Sequence, residues 1–130
     1  MMRILEGSLG LHEQVLGLRS RRLEVLARNI ANADTPHYKA QDLDFKGALS
    51  RLDNEPSAMS ATHPSHVPLG DTAGSDGLRF RIPFNTSMDG NTVELSVEQA
   101  HYGKAASDYQ ATLSFLENRV SGIRKALRGD

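Results

Sequence analysis

Between residues 3 and 31 the apolar positions return every three or four residues, the spacing that keeps side chains on one side of an α-helix. At about 100° per residue, Ile4, Leu11, Val15, Leu18 and Val25 fall around one line. Leu5, Leu9, Leu16, Leu23, Ala27 and Ile30 fall around a second, roughly 130° away, with Leu26 between the two. Glu13, Ser20, Arg21, Glu24 and Arg28 fill a polar sector narrower than half the circumference. A helix lying on one core shows one apolar stripe, so two stripes predict neighbours on two sides.

A second pattern occupies residues 96–128. Leu95, Gln99, Tyr102, Ala106, Tyr109, Leu113, Leu116, Val120, Ile123 and Leu127 alternate spacings of four and three without a slip, and only Gln99 is polar. That is a heptad seam, the pattern that winds helices into left-handed coiled coils. Ser96 followed by Gln99 matches a capping box at its start. Glu98 in the first turn and Arg124, Lys125 and Arg128 near the end suit the helix dipole, and Gly129 follows as a stop.

The chain loosens between the two helices. DNEPSAMSATHPSHVPLGDTAGSDG, residues 53–77, combines proline, glycine and small polar residues with few large apolar groups and reads as a flexible segment. RFRIPF, residues 79–84, alternates Phe80, Ile82 and Phe84, a short extended piece that Pro83 confines to an edge. Asp89-Gly90 is a turn signal before the second helix. The expected fold is mainly α: an N-terminal helix within 1–33, a middle of turn, extended segments and flexible chain over 34–94, and a heptad helix within 95–130. The two helices form a coiled-coil-like layer.

Composition sharpens this picture. Aromatic residues are 5% of the 130 and tryptophan is absent, so the chain lacks the large side chains that usually fill a self-contained core. The formal net charge of −1 gives no field to hold a polyanion or an acidic membrane. Cysteine is absent, which excludes disulfides and thiolate chemistry. No run of about 18 apolar residues exists to span a bilayer. MMRILEGSLGLHEQ shows neither a sustained apolar segment nor a small-residue cleavage site, so no cleavable secretory signal is expected.

Candidate chemistry is sparse. His63 and His66 are the one close histidine pair and lack cysteine or carboxylate partners at ligand spacing. Asp42 and Asp44 flank Leu43 as the polar side of a half-buried strand rather than as a paired acid and base. Arg19, Arg21 and Arg22 form a basic cluster without the aromatic platforms of nucleic-acid binders. Arg22 lies on the apolar line through Leu11 and Leu18, where its stem can pack while its head meets a partner's carboxylate. No catalytic, metal or cofactor constellation is found, and neither a nucleic acid nor a small-molecule substrate is expected.

NIANADTPHYKAQDLDF, residues 29–45, ends the first helix in a dense polar turn. Asn32 can take a left-handed backbone, Thr35 before Pro36 is pushed to extended geometry, and Asp34 and Thr35 can bond nearby amides. Tyr38 can pack back on the helix end, with Leu43 and Phe45 alternating along an extended continuation. Residue chemistry alone gives a helix stop and a loop.

The same stretch resembles the ANxxTPGY signature of the bacterial flagellar axial proteins, the rod, hook and hook-associated family. Asn29, Ala31, Asn32, Thr35, Pro36 and Tyr38 match it, and His37 stands where that family usually has glycine. KAQDLDF, DGNTVEL at residues 89–95 and the ending DYQATLSFLENRVSGIRKAL are similar to the short proximal-rod members. The resemblance implies a structural subunit of the basal-body rod that polymerises through its terminal helices, transmits torque and lines the export channel. It also implies homo- and hetero-oligomeric assembly with other rod subunits, the rod-base adaptor and the MS ring. Passage through the flagellar type III export apparatus to a periplasmic rod is implied as well.

The expected packing positions are Leu11, Leu18 and Val25 on one stripe of the first helix and Leu16, Leu23 and Ile30 on the other. On the second helix they are Tyr102, Tyr109, Leu113, Leu116, Val120, Ile123 and Leu127. A coiled-coil adaptor or export-chaperone-like protein is the alternative, although it leaves the double stripe of the first helix without a purpose.

Overall fold

The computed structural model describes residues 2–53 and 77–129. In chain order it contains helix α1 (Met2–Ala31), strand β1 (Gln41–Leu43), helix α2 (Phe45–Asp53), strand β2 (Leu78–Phe80) and helix α3 (Leu95–Arg128). The fold is therefore mainly α, with two long terminal helices packed on each other. At about 1.5 Å per residue, α1 and α3 are roughly 45 and 50 Å long. The expectation of a flexible segment at 53–77, with His63 and His66, lies almost entirely outside the described residues.

α1 and α3 run antiparallel, as three contacts along their length show. Asn29 meets Glu98 at 3.2 Å, Arg19 pairs with Asp108 at 3.4 Å, and the rings of His12 and Phe115 lie 4.9 Å apart. The buried residues gather where the end of α1 meets the start of α3: Val25, Leu26, Ala40, Leu43 and Ala105, with the polar Asn29, Asn91 and Glu98 among them. Elsewhere the helix pair is thin, and α3 ends with Leu127 83% exposed.

β1 and β2 form a two-stranded antiparallel ladder in which Gln41 faces Phe80, Asp42 faces Arg79 and Leu43 faces Leu78. The ladder stops after Phe80. Arg81 still donates its amide to Ala40 at 2.9 Å, and the chain then runs on without a partner strand.

Four local expectations are corrected. Phe45 does not continue an extended segment; it opens α2. The Asp44 carboxylate accepts the Gly47 amide at 3.2 Å and caps that helix. Phe45, Leu49 and Leu52 then share one face of α2, which packs on α1, and the Arg19 guanidinium lies 4.7 Å from the Phe45 ring centre. The alternation of Leu43 and Phe45 thus spans a strand end and a helix start.

The Ser96–Gln99 capping box does not form. Glu94 is the N-cap, in extended conformation and without a side-chain cap, because its carboxylate instead accepts the Phe84 amide at 2.7 Å. Asn32 is not left-handed either. Its side-chain amide donates to the Arg28 carbonyl at 2.8 Å and satisfies the helix end without positive φ. Lastly, Arg22 meets a carboxylate of its own chain, Asp42 at 3.2 Å. Gly129 does close α3 in the left-handed conformation, at φ 76°.

Candidate assembly site

Two asparagine amides organise the junction at the end of α1. Asn29, on the last turn, is fully buried. Its amide nitrogen donates to the Gln41 carbonyl at 2.6 Å, and its oxygen accepts the Gln41 amide at 3.2 Å. The side chain therefore pairs with β1 as a neighbouring strand would, on the edge that β2 does not cover. The same oxygen accepts the Tyr38 hydroxyl at 3.3 Å, and the same nitrogen donates to Glu98 at 3.2 Å. Tyr38 thus packs back toward the helix, and one side chain joins α1, the turn, β1 and α3.

Asn91 does the complementary work from the segment leading into α3. Its amide nitrogen lies 2.9, 2.9 and 2.8 Å from the carbonyls of Asn32, Ala33 and Thr35, and its oxygen accepts the Val93 amide at 2.7 Å. These carbonyls lie in the turn just past α1, where the chain leaves its helical ladder and needs donors from elsewhere. Further bonds zip the turn to the lead-in. His37 donates its amide to Asp89, Thr92 donates its amide to Tyr38, and the Thr92 hydroxyl accepts the Ala40 amide at 2.7 Å.

His37 holds φ at 62°, the only positive value among the described non-glycine residues. Gly90 faces it at φ 79°, and a Cβ there would sit 2.8 Å from the His37 ring. The two positions are thus coupled: an imidazole at 37 requires hydrogen at 90. The Ser87 hydroxyl and the Asn91 amide both donate to Asp89 and hold its carboxyl below the usual carboxylate range.

A chain of charges crosses the same junction. Arg22 of α1 forks onto Asp42 of β1, and Asp42 also accepts Arg81 at 2.7 Å. Arg81 in turn grips Glu98 of α3, whose side chain is buried. Two cations and two anions alternate, so the cluster is neutral and each buried charge has a partner. Among the described residues no group of acidic and histidine side chains could hold a metal ion, and no helix is long and apolar enough to cross a membrane.

The matched signature residues divide by role. Asn29 and Tyr38 are inside the junction, Asn32 is half-buried against it, and Ala31, Thr35 and Pro36 are exposed. Thr35 nonetheless links to Asn32 through its hydroxyl at 3.1 Å. Of the expected packing positions only Val25 is buried. Leu16, Leu18, Leu23, Ile30, Tyr109, Leu113, Leu116 and Ile123 are half-buried, while Leu11, Tyr102, Val120 and Leu127 are exposed.

An open apolar groove of about 430 Å³ lies between the helices, lined by Leu11, Val15, Leu49 and Phe115 among others. Near the junction, Ile82 and Phe84 stand 90% and 85% exposed, with Phe80 and Met88 beside them in the sequence. Asn91, Arg81 and Glu98 are junction residues that the sequence pattern does not single out. Only the fold brings them to α1.

Two long antiparallel helices are thus locked together at one polar turn. Residues 16–39 match the family described as Flagella basal body rod protein. Over nearly the full chain the sequence is 41% identical to the flagellar basal body rod protein FlgB of Cereibacter sphaeroides, across 94% of each chain. The counterpart in Aeromonas hydrophila is 38% identical over 93% of this chain and 92% of its own. That of Escherichia coli is 36% identical over 98% of both. The chain belongs to the FlgB family of flagellar basal body rod proteins, and it is a structural subunit of the rod.

Proposed function

We propose that this subunit polymerises through α1 and α3 into the proximal rod, where the helices form the inner layer that encloses the export channel and carries torque. The observation that carries this reading is the apolar surface left over after the two helices have packed. Leu11, Tyr102, Val120 and Leu127 remain exposed on long helices whose only described neighbours are each other, α2 and a two-stranded sheet. Covering apolar surface is worth about 25 cal/mol per Å², so neighbouring subunits gain most by covering those faces.

The subunit joins copies of itself, other rod proteins, the rod-base adaptor and the MS ring. It reaches a periplasmic rod through the flagellar type III apparatus and performs no catalysis. The absence of a catalytic constellation in the sequence supports the last point. Seam positions whose side chains are not needed inside the subunit test the proposal. Val120→Asp and Leu127→Asp should each abolish motility and leave basal bodies without a complete rod, because a desolvated carboxylate would lie between helices. Full motility with normal rods in both strains would contradict it.

A further inference from the structure

We infer that Glu98, held by Asn29 and Arg81, selects the register in which α3 lies along α1. In three side-chain contacts between these helices, 29 with 98, 19 with 108 and 12 with 115, the residue numbers add to 127. Tyr102, Tyr109 and Leu116 therefore stand level with Val25, Leu18 and Leu11. A heptad pattern repeats, so it does not by itself choose among positions one heptad apart. Slide α3 by seven residues, and Tyr109, Leu116 and Ile123 come level with Val25, Leu18 and Leu11. Each of those levels is then occupied by another apolar residue.

The opposite slide is closed by the chain itself. It would bring residue 91 level with Asn29, whereas Asn91 is fixed on the carbonyls of Asn32, Ala33 and Thr35. The first slide needs only a longer lead-in, formed by unwinding the first turns of α3. What opposes it is polar. Ala105 would replace Glu98 beside Asn29, and Arg81 would lose its α3 carboxylate inside the junction. The Arg19–Asp108 pair and the His12–Phe115 contact would also be lost. However, Asp108 is more than a third exposed and Phe115 about half, so neither resists strongly. A buried polar residue is a known way to fix such a choice along a repetitive helix pair, and Glu98, which lies beside the seam, is fully buried.

The chain contains no cysteine, so introduced pairs report register cleanly. Val15→Cys with Thr112→Cys reports the register described, since both residues line the same groove. Val15→Cys with Arg119→Cys reports the slide by one heptad. Each pair is treated with a short bismaleimide in assembled rods, and the product is read at monomer mass. Otherwise unmodified chains should cross-link at 15/112 only. The double variant Glu98→Leu, Arg81→Leu leaves the Arg22–Asp42 pair intact and removes one charge of each sign. It should raise the 15/119 product at least tenfold, while Glu98→Gln, which keeps one acceptor oxygen but turns an amide donor toward Asn29 or Arg81, should raise it less than the double variant does.

Exclusive 15/112 product in the double variant would overturn the inference. So would loss of both products, because the cluster would then support pairing itself rather than its register. If the double variant builds no rods, the same two cross-links are read on the purified full chain at a concentration where it associates and circular dichroism shows both helices formed, with the same outcomes deciding.

Discussion

Asn29 offers one donor group and one acceptor group, and the junction uses both: Gln41 and Glu98 take the donor, Gln41 and Tyr38 the acceptor. Asn29→Ala leaves these buried groups short of partners, at about 1–3 kcal/mol each. Asn29→Asp keeps the shape but turns a carboxylate oxygen toward the Gln41 carbonyl and the Glu98 carboxylate. Denaturant unfolding should therefore rank Asn29→Asp below Asn29→Ala, and Asn29→Ala below the parent; an aspartate variant as stable as the parent would refute the bonding described. His37 gives a second comparison. At φ 62°, His37→Gly should be as stable as the parent or more so, whereas the β-branched His37→Val should lose about 1–2 kcal/mol in the same measurement.

At the scale of elements, α1 and α3 were legible because each repeats its apolar spacing over some thirty residues, and repetition outweighs local error. α2 was not. Its face is only Phe45, Leu49 and Leu52, and the preceding DLDF alternates like a strand up to the residue that caps the helix. Asp44→Ala should remove that cap and destabilise α2 by about 1 kcal/mol, read as faster amide exchange over residues 45–53. Unchanged exchange there would show that packing on α1 alone holds the helix.

The junction was half legible. The signature marked Asn29 and Tyr38, but a motif names residues without naming what they touch. Glu98 had a local explanation in the helix dipole, Arg81 lay in an apolar-looking strand, and Asn91 sat behind a turn signal. Sequence periodicity says nothing about contacts between residues about 70 apart, and Asn29 and Glu98 are such a pair.

Over the whole molecule, hydrogen bonds and paired charges concentrate at one end, while apolar surface is left bare both beside that junction, at Ile82 and Phe84, and along the helices. One end is fixed by hydrogen bonds and paired charges, while the helices leaving it carry exposed apolar residues with no described covering. That division suits a subunit whose junction fixes geometry and whose helices wait for neighbours. It implies that much of the ordering of α1 and α3 is coupled to assembly. The direct test is circular dichroism of the purified full chain across a wide dilution series, extended to concentrations at which it associates. The account predicts a dilute monomer with markedly less helix than α1 and α3 together require, and a rise in helix as association proceeds. A dilute monomer already fully helical, melting cooperatively at a temperature independent of concentration, would contradict it.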